Sequence, residues 1–439
     1  MFALGKLAYD LSGRELDLGL LGLAEFAPAA LLVLLTGSVA DRFQRRWVSS
    51  LGSLGEAAAA LTMTAYAFTR PSAVGPLFGL ALLLGSARAF VAPASRSMPA
   101  DLVPSERLPW LMARWTIVFQ LALVAGPVLA GLLYAVDPRL PFAGATVLFL
   151  LAAAGYALLP PPLVTLVPDA TPVTPAAAAA EASAELTAEV AVEAGGEVDA
   201  GAEPARRGLQ EAMEGLRVVR RQPVLLGAIS LDLFAVLFGG AVALLPAIAD
   251  ERLGVGPVAL GWLRAAPGIG AAAVMLVMAV RPVRRRVGRT LLGAVALFGL
   301  ATMVLGATHS YAVAFVALLV LAGADALSVF IRVTLVPLVS PPTARGRVMA
   351  VENVFIGASN ELGAFESGVT GQAFGPGPAV VLGGAATLAV AGLWGRLFPA
   401  LRRVDRFPTP PTAPAGSAEP AGTVATGSTG PEGRGPAPA

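Results

Sequence analysis

Apolar runs of membrane length recur along almost the whole chain, and nothing else in the sequence constrains the fold as strongly. They cover residues 18–39, 47–68, 74–94, 111–134, 141–159, 224–248, 258–280, 290–307, 311–339, 348–373 and 378–397. A helix needs roughly 20 such residues to cross a bilayer, and in lipid it satisfies its backbone polar groups internally. Eleven runs of this kind predict an all-α polytopic membrane protein. Composition agrees: 56% of residues are hydrophobic and 14% charged, whereas soluble domains carry about 25% charged residues.

Residues 1–9 are also apolar but make only about half a span. The segment reads either as the end of a first helix, giving about twelve spans, or as an interfacial stub. It has no basic leader, so no signal peptide is expected. Residues 10–17 then read as a loop. Arginine separates the two sides of the membrane. One side holds Arg42, Arg45, Arg46, Arg96, Arg107, Arg206, Arg207, Arg217, Arg220 and Arg221, with Arg281, Arg284, Arg285, Arg286, Arg289, Arg345, Arg347, Arg402, Arg403 and Arg406. The other side holds only Arg14, Arg70, Arg139 and Arg252. By the positive-inside rule the rich side is cytoplasmic, and the C-terminus lies there too. A bacterial cytoplasmic (plasma) membrane is the expected location.

The spans fall into two groups. Residues 1–160 form a first helical bundle with an incomplete first helix, and residues 223–406 a second. Between them, 161–207 is rich in Ala, Glu and Pro and reads as a disordered cytoplasmic linker. Residues 208–222 place Leu209, Met213 and Leu216 at helical spacing beside arginines. They read as an amphipathic helix on the membrane face, or equally as an extension of the next span. Residues 407–439 are a Pro/Gly/Thr-rich tail, expected to be disordered.

Between the second and third spans lies Gly37-Ser-Val-Ala-Asp41-Arg42-Phe-Gln-Arg45-Arg46. Two sets of six spans with this loop resemble the major facilitator superfamily, whose pattern Gly-x3-Asp-Arg-x2-Arg-Arg is matched at every specified position. In the second bundle, Thr343-Ala-Arg-Gly-Arg347-Val and Ser359-Asn360-Glu361-Leu-Gly-Ala-Phe-Glu366-Ser-Gly368 resemble the branch of enterobactin exporters and transmembrane secretion effectors. Gly126-Pro127-Val-Leu-Ala-Gly131 resembles the family's antiporter motif, with Ala130 in place of a glycine. The resemblance covers about residues 1–406, apart from the linker. It implies two pseudo-two-fold-related bundles and alternating access. It further implies that Asp41 meets the start of the eleventh helix when the inner side is shut. A carboxylate at a helix N-terminus gains about 0.3–1 kcal/mol, which would bias the protein outward-open. The arginines of the loop also read simply as topology anchors. The short first helix departs from the family, and a late start site or a truncation is the expected reason.

Charges inside spans are costly in lipid and normally face the bundle interior. Glu25, Asp232, Asp325, Asn360 and Glu361 are the candidates for proton coupling or substrate contact, since transporters bind near mid-membrane. Glu56, Arg88 and Arg332 are candidate ion-pair partners, with Glu56–Arg88 and Glu361–Arg332 the static pairs that compete with a coupling role. Helix-wheel spacing gives the eleventh span a polar arc of half its circumference or more, so that arc lines the bundle. Asp325, Ser328 and Arg332 form one stripe, to which a carboxylate of the eleventh span could bridge.

The same residues argue against other chemistries. There is no Cys and one His, His309, so no metal site, cofactor or enzymatic nucleophile is expected. No Walker motif points to ATP; Arg264-Ala-Ala-Pro-Gly268 lacks the Gly-Lys ending of a phosphate loop. A net charge of +2 without a basic block offers nothing to nucleic acid. The expected function is secondary active transport, most simply proton-driven efflux of a small organic molecule by a monomer in the lipid bilayer. A siderophore exporter and a multidrug pump are the alternatives within transport, and a non-transporting receptor or accessory protein is the alternative outside it.

Overall fold

A computed structural model describes residues 2–69, 71–104, 106–160, 213–341 and 344–408; the side chains of residues 33–35, 37, 38, 40–42 and 100 lie outside the description. Both the 161–207 linker and the tail after 408 lie outside it as well. Among the described residues the regular structure is helical, and twelve principal helices run through the two halves. The first half holds α1 (Phe2–Ser12), α2 (Glu15–Arg42), α3 (Arg45–Phe68), α4 (Gly75–Ser97), α5 (Leu108–Val136) and α6 (Leu140–Leu158). The second holds α7 (Pro223–Phe238), α8 (Pro257–Val280), α9 (Val287–Ala307), α10 (Tyr311–Val339), α11 (Arg345–Phe374) and α12 (Pro376–Leu397). Prolines open α4, α5, α6, α7, α8 and α12, where the missing N–H costs no intrahelical bond.

Among the described residues, eight helices are long and apolar enough to span a membrane. α2 is as long and is apolar over residues 18–35, with part of that stretch outside the described side chains, while α3 and α11 are long enough but carry more polar residues. Their polar residues face other helices: Glu56 and Ser53 of α3 and Glu352 and Ser359 of α11 are buried. The expected loop at 10–17 shrinks to Gly13 and Arg14, because α1 continues to Ser12 and α2 begins at Glu15. The signature turn shrinks too. α2 runs through Arg42 and α3 starts at Arg45, so only Phe43 and Gln44 connect them. Gly37 thus lies within a helix and does not close a turn.

α7 is broken where the sequence reads as one run. It ends at Gly239–Gly240 and continues as a 3-10 turn (Ala241–Leu244), a short α segment and a π turn (Ile248–Arg252). A Cβ on Gly239 would strike the Phe298 ring, and one on Gly240 the Gly363 carbonyl. Glycine at these two positions lets α9 and α11 press against the break. The short helix at 213–221 falls inside the stretch expected to be amphipathic. Val219 packs with Val348 and Val351 of α11, and Glu214 pairs with Arg347.

The two halves meet where α2 crosses α11 and α5 crosses α8. A Cβ on Gly19 would lie 3.0 Å from Phe365 Cα and 3.2 Å from Gly368 Cα. In the other crossing, a Cβ on Gly131 would lie 2.6 Å from the Pro257 carbonyl and 3.0 Å from Gly261 Cα. The crossings are pseudo-two-fold equivalents: Gly19 and Gly261 each occupy the fifth position of their helix. Both lie in the half of the molecule away from the arginine-rich end. A single apolar cluster fills that region from both sides, with Leu4, Leu7 and Tyr9 of α1 beside Leu244, Ile248, Leu260 and Leu263. Tyr9 donates a hydrogen bond across the seam to Glu251. Toward the arginine-rich end the contact between α2 and α11 gives way to a cavity bordered by Phe26, Thr36, Arg88, Arg96 and Glu361. The structure is therefore sealed at one end and open at the arginine-rich one.

This packing predicts that Gly19→Leu and Gly131→Leu force the sealed end apart. The natural chain has no cysteine, so a single Ala364→Cys in the cavity wall reports the change. Its labelling by an impermeant maleimide from the sealed side should rise several-fold in either variant. Unchanged labelling in both would show that the glycine crossings do not hold the seal.

Candidate functional site

Two cavity lobes meet at Glu361, the wider on the first-half side and the narrower within the second half. The wider lobe, about 750 Å³, is bordered by Glu25, Phe26, Thr36, Arg88, Arg96 and Glu361. The narrower one, about 370 Å³, is bordered by Gly239 and Gly240 at the α7 break, Arg264, Phe298, Asp325, Asn360 and Glu361. Glu361 borders both. It is held there by α11, whose Gly363 and Gly368 pack on α7 and α2.

The charged residues sort into three groups. In the first half, Arg88 of α4 makes an ion pair with Glu25 of α2 and a second, at 3.5 Å, with Glu56 of α3. The Glu56–Arg88 pair expected from sequence is present, and Glu25 joins it. In the second half, Arg332 of α10 sits 2.7 Å from Asp232 of α7 and 3.8 Å from Glu352 of α11. These three are 2%, 4% and 6% exposed. Glu352, not Glu361, is therefore the α11 carboxylate that reaches Arg332. It lies in the third turn of α11, whereas Glu361 lies more than two turns further on and faces the cavity. This corrects the Glu361–Arg332 pairing expected from sequence.

The third group is unpaired. Among the described residues no ion pair within 4.0 Å involves Asp325, Glu361 or Arg264, and Arg264 Nε is buried without a hydrogen-bond partner. Asn360, which borders the narrow lobe, donates to the Ile356 carbonyl at 2.8 Å. Asp325 also borders a small void of about 10 Å³ shared with Asp232 and Ser328, close to the room one water needs. Asp325 thus stands between the open cavity and the buried Asp232–Arg332–Glu352 group. Of the sequence-derived candidates, Asp325, Asn360 and Glu361 share one lobe, Glu25 lies in the next, and Asp232 lies behind Asp325. Arg264 and the Gly239–Gly240 break were missed as site residues. A Gly-Gly pair inside an apolar run was the available signal for the break.

The signature residues divide. Arg45 donates to both carboxylate oxygens of Asp101 at 2.9 Å. Arg46 donates to the Leu159 carbonyl at 3.0 Å and stacks over Trp47. These contacts tie α3 to the α4–α5 connection and to the end of α6. The side chains of Gly37, Asp41 and Arg42 lie outside the described residues. In the antiporter-like segment, Gly131 and the Pro127 carbonyl both meet Gly261 of α8, while Gly126 touches nothing comparable.

No group of three or more metal-ligating side chains exists among the described residues. The burial of Arg332 yields a stability prediction. Asp232→Ala leaves a guanidinium in an apolar bundle with only Glu352 nearby, and breaking such a pair costs about 3–5 kcal/mol. The melting temperature should fall well below that of wild type, and Asp232→Leu/Arg332→Met should recover most of it. Equal melting temperatures for wild type and Asp232→Ala would contradict the pairing.

Solved structures of similar fold include the nucleoside transporter NupG, at 12% identity and a TM-score of 0.58, covering 91% of this chain and 94% of that one. Peptide transporter POT in complex with sulfate matches at 14% identity and a TM-score of 0.63, covering 92% of each chain. A bacterial homolog to the human lysosomal transporter Spinster, inward-facing and unoccupied, matches at 15% and 0.58, covering 91% and 93%. None of the curated proteins compared with the chain matches it in sequence. The family model described as Major Facilitator Superfamily matches residues 1–329. With three quarters of its length matched and the two-bundle fold in place, the chain belongs to the major facilitator superfamily.

Proposed function

We propose that the protein is a proton-coupled exporter of a small organic molecule, working by alternating access across a bacterial cytoplasmic membrane. The observation that carries this reading is Glu361, an unpaired carboxylate at the junction of the two cavity lobes. A carboxylate without a counter-charge at the wall of a cavity can gain and lose a proton during a transport cycle. Asp325 shares that condition in the same lobe. Glu25 and Asp232, each held by an arginine, are cast as members of switchable ion pairs.

In this reading the open, arginine-rich end is cytoplasmic. Substrate enters the wide lobe and reaches Glu361 and Asp325. The inner ends then close, the glycine crossings part, and protons arriving from outside displace the substrate. Asp41 would latch the inner side by meeting the start of α11. That start already carries the 213–221 helix, so latch and helix act on one element. Export as the direction rests on the antiporter-like segment and on the likeness to the enterobactin-exporter branch. A siderophore and a multidrug-type amphipathic compound are the alternative cargoes, the first resting on that likeness alone. Fold alone does not fix cargo.

The test uses proteoliposomes or everted vesicles with an imposed proton gradient and a panel of siderophores and amphipathic compounds. Glu361→Gln and Asp325→Asn should each cut gradient-driven uptake at least tenfold while substrate exchange without a gradient persists. Normal gradient-driven transport in both variants would remove the coupling assignment. No transport of any compound by wild type would instead favour a receptor or accessory protein on the same fold.

A further inference from the structure

The narrow lobe carries an unusual charge set for its size. Arg264 projects from α8 with its Nη2 beside Gly5 of α1, at 3.8 Å from a Cβ built there. Its Nε is buried without a partner. Asp325 and Glu361 border the same lobe, yet neither comes within 4.0 Å of the guanidinium. One cation and two carboxylates thus face one space without neutralising one another. Elsewhere in the bundle the opposite holds, since Arg88 and Arg332 each contact two carboxylates. A guanidinium removed from water and left without a counter-charge is costly. Its fork is shaped to take a carboxylate through two parallel hydrogen bonds.

We propose that the narrow lobe is a subsite for a small zwitterion of the amino-acid class, with its carboxylate on Arg264 and its ammonium on Asp325 and Glu361. The proposal rests on the transporter reading above and deepens it by naming the substrate class. The lobe's volume of about 370 Å³ suits a molecule of that size. Phe298, Leu321 and Pro267 supply an apolar wall for its side chain. Charge separation inside the lobe discriminates among ligands. A simple organic anion meets Arg264 but is repelled by two carboxylates. A simple amine meets the carboxylates and leaves Arg264 unmatched. A zwitterion satisfies all three. An ammonium and protons also compete for the same carboxylates, so protonating Asp325 and Glu361 ejects the ligand. That competition is the exchange an antiporter requires. Arg96, exposed on the wall of the wide lobe, attracts the carboxylate end on entry.

Three compounds on one skeleton test the proposal: phenylalanine, 3-phenylpropanoate and 2-phenylethylamine. Binding is measured on the purified full chain in nanodiscs, without a gradient. Phenylalanine should bind at least about tenfold more tightly than either analogue, a difference of about 1.4 kcal/mol. Arg264→Gln should lose phenylalanine binding by about the same factor, and Arg264→Lys should restore part of it. Asp325→Asn should weaken phenylalanine and 2-phenylethylamine but not 3-phenylpropanoate. Monodispersity and helical circular dichroism of the variants establish that they are folded. The proposal is overturned if 2-phenylethylamine binds as tightly as phenylalanine, if folded Arg264→Gln binds phenylalanine normally, or if none of the three binds. Phenylalanine binding without flux in any gradient would overturn the transporter reading and keep the subsite. Gradient-driven flux of the amine alone would do the reverse.

Discussion

A charge inside an apolar helical bundle must meet an opposite charge or water, because the desolvation cost is otherwise too great. The architecture of this protein follows from how that demand is met in each place. Arg332 is met by Asp232 and Glu352, so α7, α10 and α11 are drawn together in the dry part of the second half. Arg88 is met by Glu25 and Glu56, which gathers α2, α3 and α4 in the first. Where the demand goes unmet, at Arg264, Asp325 and Glu361, there is a cavity. The unpaired charges and the empty space occur together because each requires the other.

The helices that approach most closely across the two halves do so through glycine. Gly19 with Gly368 and Gly131 with Gly261 bring backbones into contact at equivalent places in the two crossings. Within a membrane, where helix association lacks a hydrophobic drive, such close packing supplies the attraction. The contact is dispersive and free of charge, so it can be made and broken without stranding a polar group. A seal built from ion pairs would carry that cost at every cycle. Polar additions to it are Tyr9 donating to Glu251 and Gln120 of α5 donating to the Gly268 carbonyl of α8 at 2.7 Å.

Much of the fold was legible because membrane spans announce themselves by length and apolarity. The two bundles, the Arg-rich face and the buried polar arc of α11 follow from spacing and composition. The Glu56–Arg88 pair was readable for the same reason, since each residue was an isolated charge in neighbouring spans. Arg332 was harder: a helix wheel says which face a residue occupies but not which of several carboxylates on another helix lies at its depth. Glu352 and Glu361 both lie on α11, and only the tilt of α11 against α10 selects the first. Arg264 is one more charge in a span as far as the sequence goes, because its isolation is a property of its neighbours and not of its own position. The α7 break was hidden by its apolar flanks, although Gly239-Gly240 marked it.

Glu361 borders both lobes of the cavity. The two lobes therefore share one titratable side chain at their boundary. With a small ligand in one and a bulky ligand in the other, each would press on that side chain without occupying a common position. Pairs of unlike ligands should then slow one another's release without competing for a common position, a kinetic signature set by the order of arrival.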